Sequence, residues 1–266
     1  MLTPQLLSRS QPSGVEPTLR SHTRQGARGI GQRTAVLFDF YGTLAQATRW
    51  VSVDVVLAER GYVLPDEVRD RWWNSGVDGI EHLEHSQSRD HYQAWQQQRL
   101  LAMLAETDVH PGEYEAILEQ FRDGNATRVL EAYPEAPGVL EALRVRGLSV
   151  GICSNWDWDL REAVAEVGLT DWIDVVISSA WAGARKPHPR IFEQSLAKLG
   201  AEAADVVFVG DTWGPDVVGP QAMGMTTVYL RRDGHWPDDT APETLDEGVA
   251  VAADLTGLLD LIEEEL

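Results

Sequence analysis

The chain after Pro134 alternates between two hydrophobic patterns. Short runs of apolar, largely β-branched residues predict buried strands at 148–154, 174–178, 205–210 and 226–230. Stretches in which the apolar residues follow a helical period lie between and after these runs and predict helices. Such alternation is typical of a parallel sheet covered by helices on both faces. We therefore expect a doubly wound α/β core built on a parallel sheet.

A further buried strand, predicted at 34–40, is separated from the alternating part by a long helical segment. Residues 47–130 show helical periodicity without convincing strands. Pro111 suits the first turn of the last of these helices, and Gly124 suits its end. The simplest arrangement is an all-helical domain inserted after the first strand of the core.

These patterns divide the chain into three parts. The α/β core comprises 34–46 and 131–266, and the helical insertion comprises 47–130. Residues 1–33 are rich in Ser, Pro, Gly, Gln and Arg and show no sustained apolar period, so we expect a disordered N-terminal arm there.

The amino-acid composition argues against some classes of binding partner and indicates the cellular compartment of the protein. Acidic residues outnumber basic ones by 42 to 22, and the resulting charge of −20 argues against nucleic-acid and membrane partners. No apolar run approaches the roughly 18 residues of a membrane span, and the N-terminus lacks the long apolar core of a secretory signal. The single cysteine, Cys153, excludes an internal disulfide and a CxxC metal site. We expect a cytoplasmic protein that acts on a small molecule, whereas its oligomeric state is not predicted.

Polar residues with chemical capability follow the strands of the predicted sheet. They are Asp39, Tyr41 and Thr43 after the first strand, Ser154 and Asn155 after the next, Lys186 further on, and Asp211 and Asp216 after a later strand. A single aspartate in such a place often only caps a helix. Together, however, these side chains should meet, because the carboxyl ends of parallel strands share one edge of the sheet.

Gathered carboxylates raise one another's pKa, and a hard divalent cation with oxygen ligands relieves that repulsion. Mg²⁺ suits Asp39, Asp211 and Asp216. Lys186 is one of only two lysines in a chain that otherwise uses arginine. A compact ammonium suits contact with a reactive carboxylate better than a planar guanidinium does.

The motifs, in their order and spacing, resemble those of the haloacid dehalogenase superfamily with a helical cap of the C1 type. They are hhhhDxxxGT from Val36 to Thr43, the strand-end Ser154, KPxP from Lys186 to Pro189, and GDxxxxD from Gly210 to Asp216. The resemblance covers about 34–260 and makes the insertion a cap over the site. It implies that Asp39 is a nucleophile forming a covalent intermediate, that Ser154 holds the transferred group and that Lys186 balances its charge. It also implies that Asp39, Asp211, Asp216 and the main-chain carbonyl of Tyr41 hold Mg²⁺.

Tyr41 departs from the pattern of the superfamily's phosphatases, which usually carry a second aspartate there to protonate the leaving oxygen and later activate water. A phenol, with a reference pKa of about 10, cannot act as a carboxylate base near neutral pH. This predicts slow turnover unless another group, such as His188 or Asp157, substitutes.

Three functions remain open after this departure. We favour a Mg²⁺-dependent phosphatase acting on a small phosphorylated metabolite, because phosphoryl transfer needs the two carboxylates of GDTWGPD. The DxYGT variant of the first motif instead resembles the 2-haloacid dehalogenases, in which the aspartate attacks carbon without a metal, and Arg49 would then bind halide. The third alternative is a weakly catalytic binding or regulatory protein that keeps the fold.

Substrate contacts are expected from residues that follow the strand ends: Tyr41, Gly42, Thr43, Asn155, Trp156 and Trp213. The chain has ten tryptophans, most of which should fill the core and the seam between cap and core. Gly42 and the segment 131–138 are the expected hinge ends of the cap.

Overall fold

The computed structural model describes residues 33–73, 75–232, 241–242, 244–245 and 249–263. The predicted disordered arm, apart from its last residue, lies outside the described residues. That residue, Arg33, is buried, and its guanidinium donates hydrogen bonds to the carbonyl of Ala204 and to Thr226 Oγ1. Within the described part of the chain, no helix has both the length and the hydropathy needed to span a membrane.

A six-stranded sheet forms the centre of the molecule. The described residues form eight strands, of which β2 and β3 lie outside this sheet. The strands are β1 (Ala35–Phe38), β2 (Ala45–Arg49), β3 (Val129–Ala132), β4 (Ser149–Ser154), β5 (Val175–Ser178), β6 (Val206–Gly210), β7 (Thr226–Leu230) and β8 (Ala250–Ala252). Six of them lie in the order β5-β4-β1-β6-β7-β8, and all five pairings are parallel. The strand order reverses at β1, between β4 and β6. Ligands bind at such a switch point in doubly wound sheets, so the end of β1 is where a site is expected.

Helices cover both faces of the sheet, which confirms the predicted doubly wound core. The helices are α1 (Val53–Glu59), α2 (Asp66–Trp72), α3 (Arg89–Leu104), α4 (Tyr114–Ala126), α5 (Ala136–Val145), α6 (Leu160–Glu166), α7 (Ser179–Ala182), α8 (Pro189–Leu199), α9 (Gly219–Ala222) and α10 (Thr256–Glu263). In β1 the side chains alternate: Val36 packs against α5, α6 and α10, whereas Leu37 packs on the opposite face with Phe192 of α8. Burial on both faces explains why the strands read as continuous apolar runs.

The inserted segment has a hydrophobic core of its own, formed by α1 to α4 around buried residues such as Leu57, Leu104 and Ile117. Gly124 lies inside α4 rather than at its end, so that boundary prediction was wrong. A Cβ atom at this glycine would come within 2.7 Å of the Val51 Cβ, and the glycine therefore lets the chain pass close to the helix.

The two connections between insertion and core pair with each other. β2 and β3 form an antiparallel ribbon with an irregularity between Ala47 and Arg49. The sequence did not indicate this ribbon, since β2 is short and mostly exposed and its partner lies some 80 residues away. The boundaries predicted at 46/47 and 130/131 fall inside the ribbon.

A non-helical stretch of the insertion contacts the loop that carries Lys186. The Gly79 N–H donates to the Lys186 carbonyl at 3.2 Å, and the Arg185 N–H donates to the Ile80 carbonyl at 3.0 Å. The His82 N–H donates to a further carbonyl of the same loop at 2.7 Å. The insertion and this loop are therefore held in one relative position.

Candidate active site

A buried ammonium joins two carboxylates at the switch point of the sheet. Asp39 directly follows β1, and its backbone N–H donates to the Val209 carbonyl of β6 at 2.9 Å. Lys186 Nζ donates to Asp39 Oδ1 at 2.5 Å and to Asp216 Oδ1 at 2.6 Å. The side chains of Lys186 and Asp216 are each only 1% exposed. Segments far apart in the chain thus meet around Asp39, as the sequence predicted.

Burial and charge act against each other in this group. Burial raises the pKa of the Asp39 carboxyl, and Asp211 adds to the rise, while the charge of Lys186 and hydrogen bonds from Lys186 and Ser154 oppose it. Burial also raises the pKa of Asp216 against the attraction of Lys186. For Lys186, burial is outweighed by the charges of Asp216 and Asp39, which raise the pKa of the ammonium and keep it protonated.

Asn155 fixes the backbone of Lys186 from the neighbouring strand end. Its Oδ1 accepts from the Lys186 N–H at 2.6 Å, and its Nδ2 donates to the Lys186 carbonyl at 3.1 Å. Both ends of the amide are therefore used to position the lysine. Ser154, at the end of β4, is 2% exposed and hydrogen-bonds Asp39 with its side chain.

Three carboxylates come close enough to share a cation. Ligand atoms of Asp39, Asp211 and Asp216 all lie within 4.8 Å of one another. The Thr43 hydroxyl donates to Asp211 Oδ1 at 3.1 Å, and the Thr212 N–H donates to Asp216 Oδ2 at 3.0 Å. One ammonium does not balance three carboxylates, and hard oxygen donors are what Mg²⁺ prefers. The residues present therefore fit a magnesium ion.

A cavity of about 160 Å³ opens onto this group. Its lining consists of Asp39, Tyr41, Ser154, Asn155, Lys186, Thr212, Pro215 and Asp216. Thr212 and Pro215 were not predicted to line the site, although both lie within the GDTWGPD motif that marked the strand end. The cavity is large enough for a small polar group next to the Asp39 carboxylate.

Tyr41, which lines the cavity, belongs to a group of aromatic residues. Burial raises the pKa of its hydroxyl, which also hydrogen-bonds the backbone of Ala47 in β2. The Trp50 ring lies edge-on at 5.1 Å between centroids, and the Trp156 ring lies 6.2 Å from Tyr41. Sequence reasoning missed the contact with Trp50, since it depends on how the connection to the insertion runs past the site.

Several residues predicted to bind substrate contact other parts of the protein. Trp156 is buried, donates to Asp159 Oδ1 at 3.0 Å and packs edge-on against Phe40. The Trp213 ring packs on Tyr229 at 5.5 Å. Neither tryptophan lines the cavity, and contact of either one with substrate stays a prediction.

The turn after Asp39 is likewise occupied by structural contacts. Gly42 adopts a φ of 83°, and the Thr43 side chain holds Asp211, so neither residue lines the cavity. Arg232 donates to the carbonyls of Gly42 and Thr43 at 3.3 and 2.9 Å and pairs with Glu135 at 2.6 Å. Arg232 follows β7 outside any motif, so no pattern in the sequence pointed to this role.

The substitutes considered for the missing acid and for a halide ligand are engaged elsewhere. His188 accepts the Arg190 N–H at 3.2 Å and caps α8. Arg49 donates twice to the Thr127 carbonyl, at 2.6 and 2.9 Å, within the ribbon. Asp157 accepts the N–H of the next residue at 2.6 Å. None of these three side chains lines the cavity.

Comparisons with known proteins agree with this geometry. A ribulose-1,5-bisphosphate 5-phosphatase from Halopiger xanaduensis is 28% identical over 215 residues, which cover 74% of this chain and 84% of that protein. The crystal structure of a HAD phosphatase from Thermococcus onnurineus superposes with a TM-score of 0.53 at 28% identity, covering 86% of this chain and 97% of the other.

A dehalogenase has a similar structure. The L-2-haloacid dehalogenase from Xanthobacter autotrophicus, with chloropropionic acid covalently bound, superposes with a TM-score of 0.53 at 26% identity and covers 87% of this chain and 98% of the other. The haloacid dehalogenase-like hydrolase family matches residues 34–224. Because this match spans well over half of the chain and includes every side chain around Asp39, the protein belongs to the haloacid dehalogenase-like hydrolase family.

Proposed function

We propose that this hydrolase is a Mg²⁺-dependent phosphatase that acts on a small phosphorylated metabolite through a covalent aspartyl intermediate. The observation that carries the proposal is the group of three carboxylates around one ammonium, with ligand atoms within 4.8 Å of one another. A metal-free attack on carbon has no use for Asp211 and Asp216, whose charge would repel a haloacid. Phosphoryl transfer uses such a group, because a cation held there neutralises the transferring phosphoryl oxygens.

In the first half-reaction, a carboxylate oxygen of Asp39 attacks phosphorus, and the bond from phosphorus to the leaving oxygen breaks. Lys186 keeps Asp39 oriented and supplies positive charge beside the attacking oxygen. Ser154 at the end of β4 is placed to hydrogen-bond a phosphoryl oxygen. The two hydrogen bonds between the Asn155 amide and the Lys186 backbone keep the ammonium in place during phosphoryl transfer.

In the second half-reaction, water attacks phosphorus, and the bond between phosphorus and the Asp39 oxygen breaks. The electron pair returns to Asp39 as carboxylate, and the protons of water stay with the phosphate product. No carboxylate at position 41 assists this step. General base help typically contributes 10²–10⁴-fold, so we expect the covalent intermediate to hydrolyse slowly.

We further propose that residues 47–130 act as a cap over the core formed by 34–46 and 131–266. The separate hydrophobic core of α1 to α4 supports this division. The contacts between 79–82 and the Lys186 loop place the insertion directly beside the cavity.

The names of two similar proteins support phosphoryl chemistry, since the proteins from Halopiger and Thermococcus are called phosphatases. A second candidate, hydrolysis of 2-haloacids, is favoured by Tyr41 and by the likeness to the Xanthobacter dehalogenase. Halide needs no proton on leaving, so an enzyme of that kind works without an acid at this position.

The test is a panel of phosphate esters and 2-haloacids, assayed with Mg²⁺ and with EDTA. We expect phosphate release that depends on Mg²⁺ and is abolished in Asp39→Asn. Asp171→Asn, an exposed aspartate in a 3₁₀ turn, is the matched control and should keep full activity. Halide release that is insensitive to EDTA would favour the dehalogenase, and full activity of Asp39→Asn would overturn the covalent mechanism.

A further inference from the structure

Among the residues that the structure describes, none that lines the cavity at Asp39 is placed to protonate a leaving oxygen. Among the described residues that line it, the ionisable ones are Asp39, Tyr41, Lys186 and Asp216. Lys186 hydrogen-bonds Asp39 and Asp216 at 2.5 and 2.6 Å, so two of its three ammonium protons already have carboxylate acceptors. The Tyr41 hydroxyl hydrogen-bonds the backbone of Ala47, and a phenol is a much weaker acid than a carboxylic acid. The remaining side-chain donors are hydroxyl and amide groups, which are very weak acids.

The groups nearest in sequence do not fill this role either. His188 uses its Nδ1 to cap a helix, and Asp157 accepts a backbone N–H at 2.6 Å. Both lie outside the lining of the cavity. A leaving oxygen at Asp39 therefore takes no proton from the described side chains as it departs.

An aromatic surface takes the place of the missing carboxylate. Tyr41 is one of the residues that line the cavity, and the Trp50 ring contacts the Tyr41 ring edge-to-face at 5.1 Å. Trp50 is 39% exposed, although its Nε1 donates to Asn125 Oδ1 at 2.6 Å and its ring contacts Trp156 at 5.5 Å. Its ring is thus fixed in orientation and partly exposed beside Tyr41, although Trp50 is not among the residues that line the cavity itself. Flat, unsaturated groups pack favourably against such a surface.

We propose that the substrates of this enzyme are phosphate monoesters of an aryl or enol oxygen, which leaves as a phenolate or enolate and packs against Tyr41 and Trp50. This inference rests on the proposed phosphatase function and adds the class of leaving group. An alkyl phosphate would have to release an alkoxide, which is far more basic than a phenolate, and is therefore a poor substrate.

The step balances without an acid. As the bond between the Asp39 oxygen and phosphorus forms, the bond from phosphorus to the leaving oxygen breaks, and that oxygen keeps the electron pair. The anion is stabilised by its own unsaturated system and takes a proton from solvent after release. Water then hydrolyses the acyl phosphate, and its protons remain on the phosphate.

The test is a series of para-substituted phenyl phosphates, in which the ring stays constant and the acidity of the phenol varies. In the wild type, we expect kcat/KM to rise steeply with that acidity, and glycerol phosphate to be at least about 100-fold poorer than phenyl phosphate. Tyr41→Asp supplies a carboxylic acid and should reduce this preference about tenfold or more. Tyr41→Phe keeps the ring without adding an acid and should show the steep dependence of the wild type.

Trp50→Ala tests the aromatic contact separately. We expect a KM for phenyl phosphate about fivefold to tenfold higher than in the wild type and no such change for acetyl phosphate, whose leaving group has no ring. Trp73→Ala is the matched control, because Trp73 is 45% exposed and packs on Phe121 in the insertion. An equal effect of Trp50→Ala on both substrates would overturn the contact with the leaving group.

The outcomes separate this inference from the function on which it rests. Phosphatase activity with a flat dependence on phenol acidity, and with glycerol phosphate as good a substrate as phenyl phosphate, would overturn the inference and leave the phosphatase intact. The absence of Mg²⁺-dependent phosphate release from every ester would overturn the proposed function and the inference with it. Circular dichroism and thermal melting of each variant show whether a loss of activity reflects unfolding.

Discussion

Replacing Lys186 by methionine removes the only ammonium from the buried carboxylate group. Asp39 and Asp216 contact that ammonium at 2.5 and 2.6 Å and are themselves buried, so they would be left close together without the positive charge that balances them. Removing one member of a buried ion pair costs about 3–5 kcal/mol, because the other charge stays desolvated. For a chain of this size we expect the melting temperature to fall by roughly 6–20 °C.

The loss of stability in Lys186→Met should be greater at pH 8 than at pH 5. In the variant, burial without a counter-charge raises the pKa of both carboxyls further above their unfolded values near 4. The folded state then binds more protons than the unfolded state, so its stability falls as pH rises from 5 to 8. Lys198→Met, at the exposed second lysine, is the control and should change stability by less than about 0.5 kcal/mol.

Urea unfolding, followed by tryptophan fluorescence at pH 5 and pH 8 without divalent cations, measures these differences. We expect Lys186→Met to be destabilised far more at pH 8 than at pH 5. A change as small as that of Lys198→Met, or an equal loss at both pH values, would refute the electrostatic reasoning. Activity should be lost in Lys186→Met and kept in Lys198→Met.

Three further predictions concern Mg²⁺ binding, the hydrogen bonds from Asn155 to the Lys186 backbone, and helix α4 of the insertion. Burial raises the pKa of Asp39 and Asp216, and a carboxyl group must lose its proton to bind Mg²⁺. We therefore expect Mg²⁺ to raise the melting temperature more at pH 8 than at pH 5. An equal rise at both pH values would contradict this. Asn155→Ala should lower kcat about tenfold or more with a stability loss of only about 1–3 kcal/mol, as measured by steady-state kinetics and urea unfolding. Gly124→Ala should destabilise by about 1–3 kcal/mol through its clash with Val51, whereas a gain would show that the helix tolerates the methyl group.

The strand ends could be predicted because one apolar run fixes where each strand stops. Asp39 follows four fully buried residues, and parallel pairing places the ends of β1, β4 and β6 at one edge. Because these strand ends share one edge, the contact of Lys186 with Asp39 and Asp216 follows from the attraction between an ammonium and two carboxylates. This part of the site was therefore readable from the sequence.

The remaining parts depend on contacts between distant segments. β2 and β3 are short, partly exposed strands whose pairing gives no periodic signal in either segment alone. Trp50 lies beside Tyr41 only because the β2–β3 ribbon positions it there. Arg232 donates to the Gly42 carbonyl although the two residues are 190 positions apart in the sequence. Proximity to a motif in sequence did not indicate that Trp156 belongs to the hydrophobic core.

The central claim, that Asp39 is the reacting carboxylate, is tested most directly by stopping a single turnover with acid. Peptide mass spectrometry then identifies the residue that carries the phosphoryl group after mixing with 4-nitrophenyl phosphate and Mg²⁺. We expect phosphoryl-Asp39 to accumulate to nearly one equivalent, because no carboxylate at position 41 assists its hydrolysis. Release of phosphate without any phosphoryl group on Asp39, or with that group on another residue, would contradict the account.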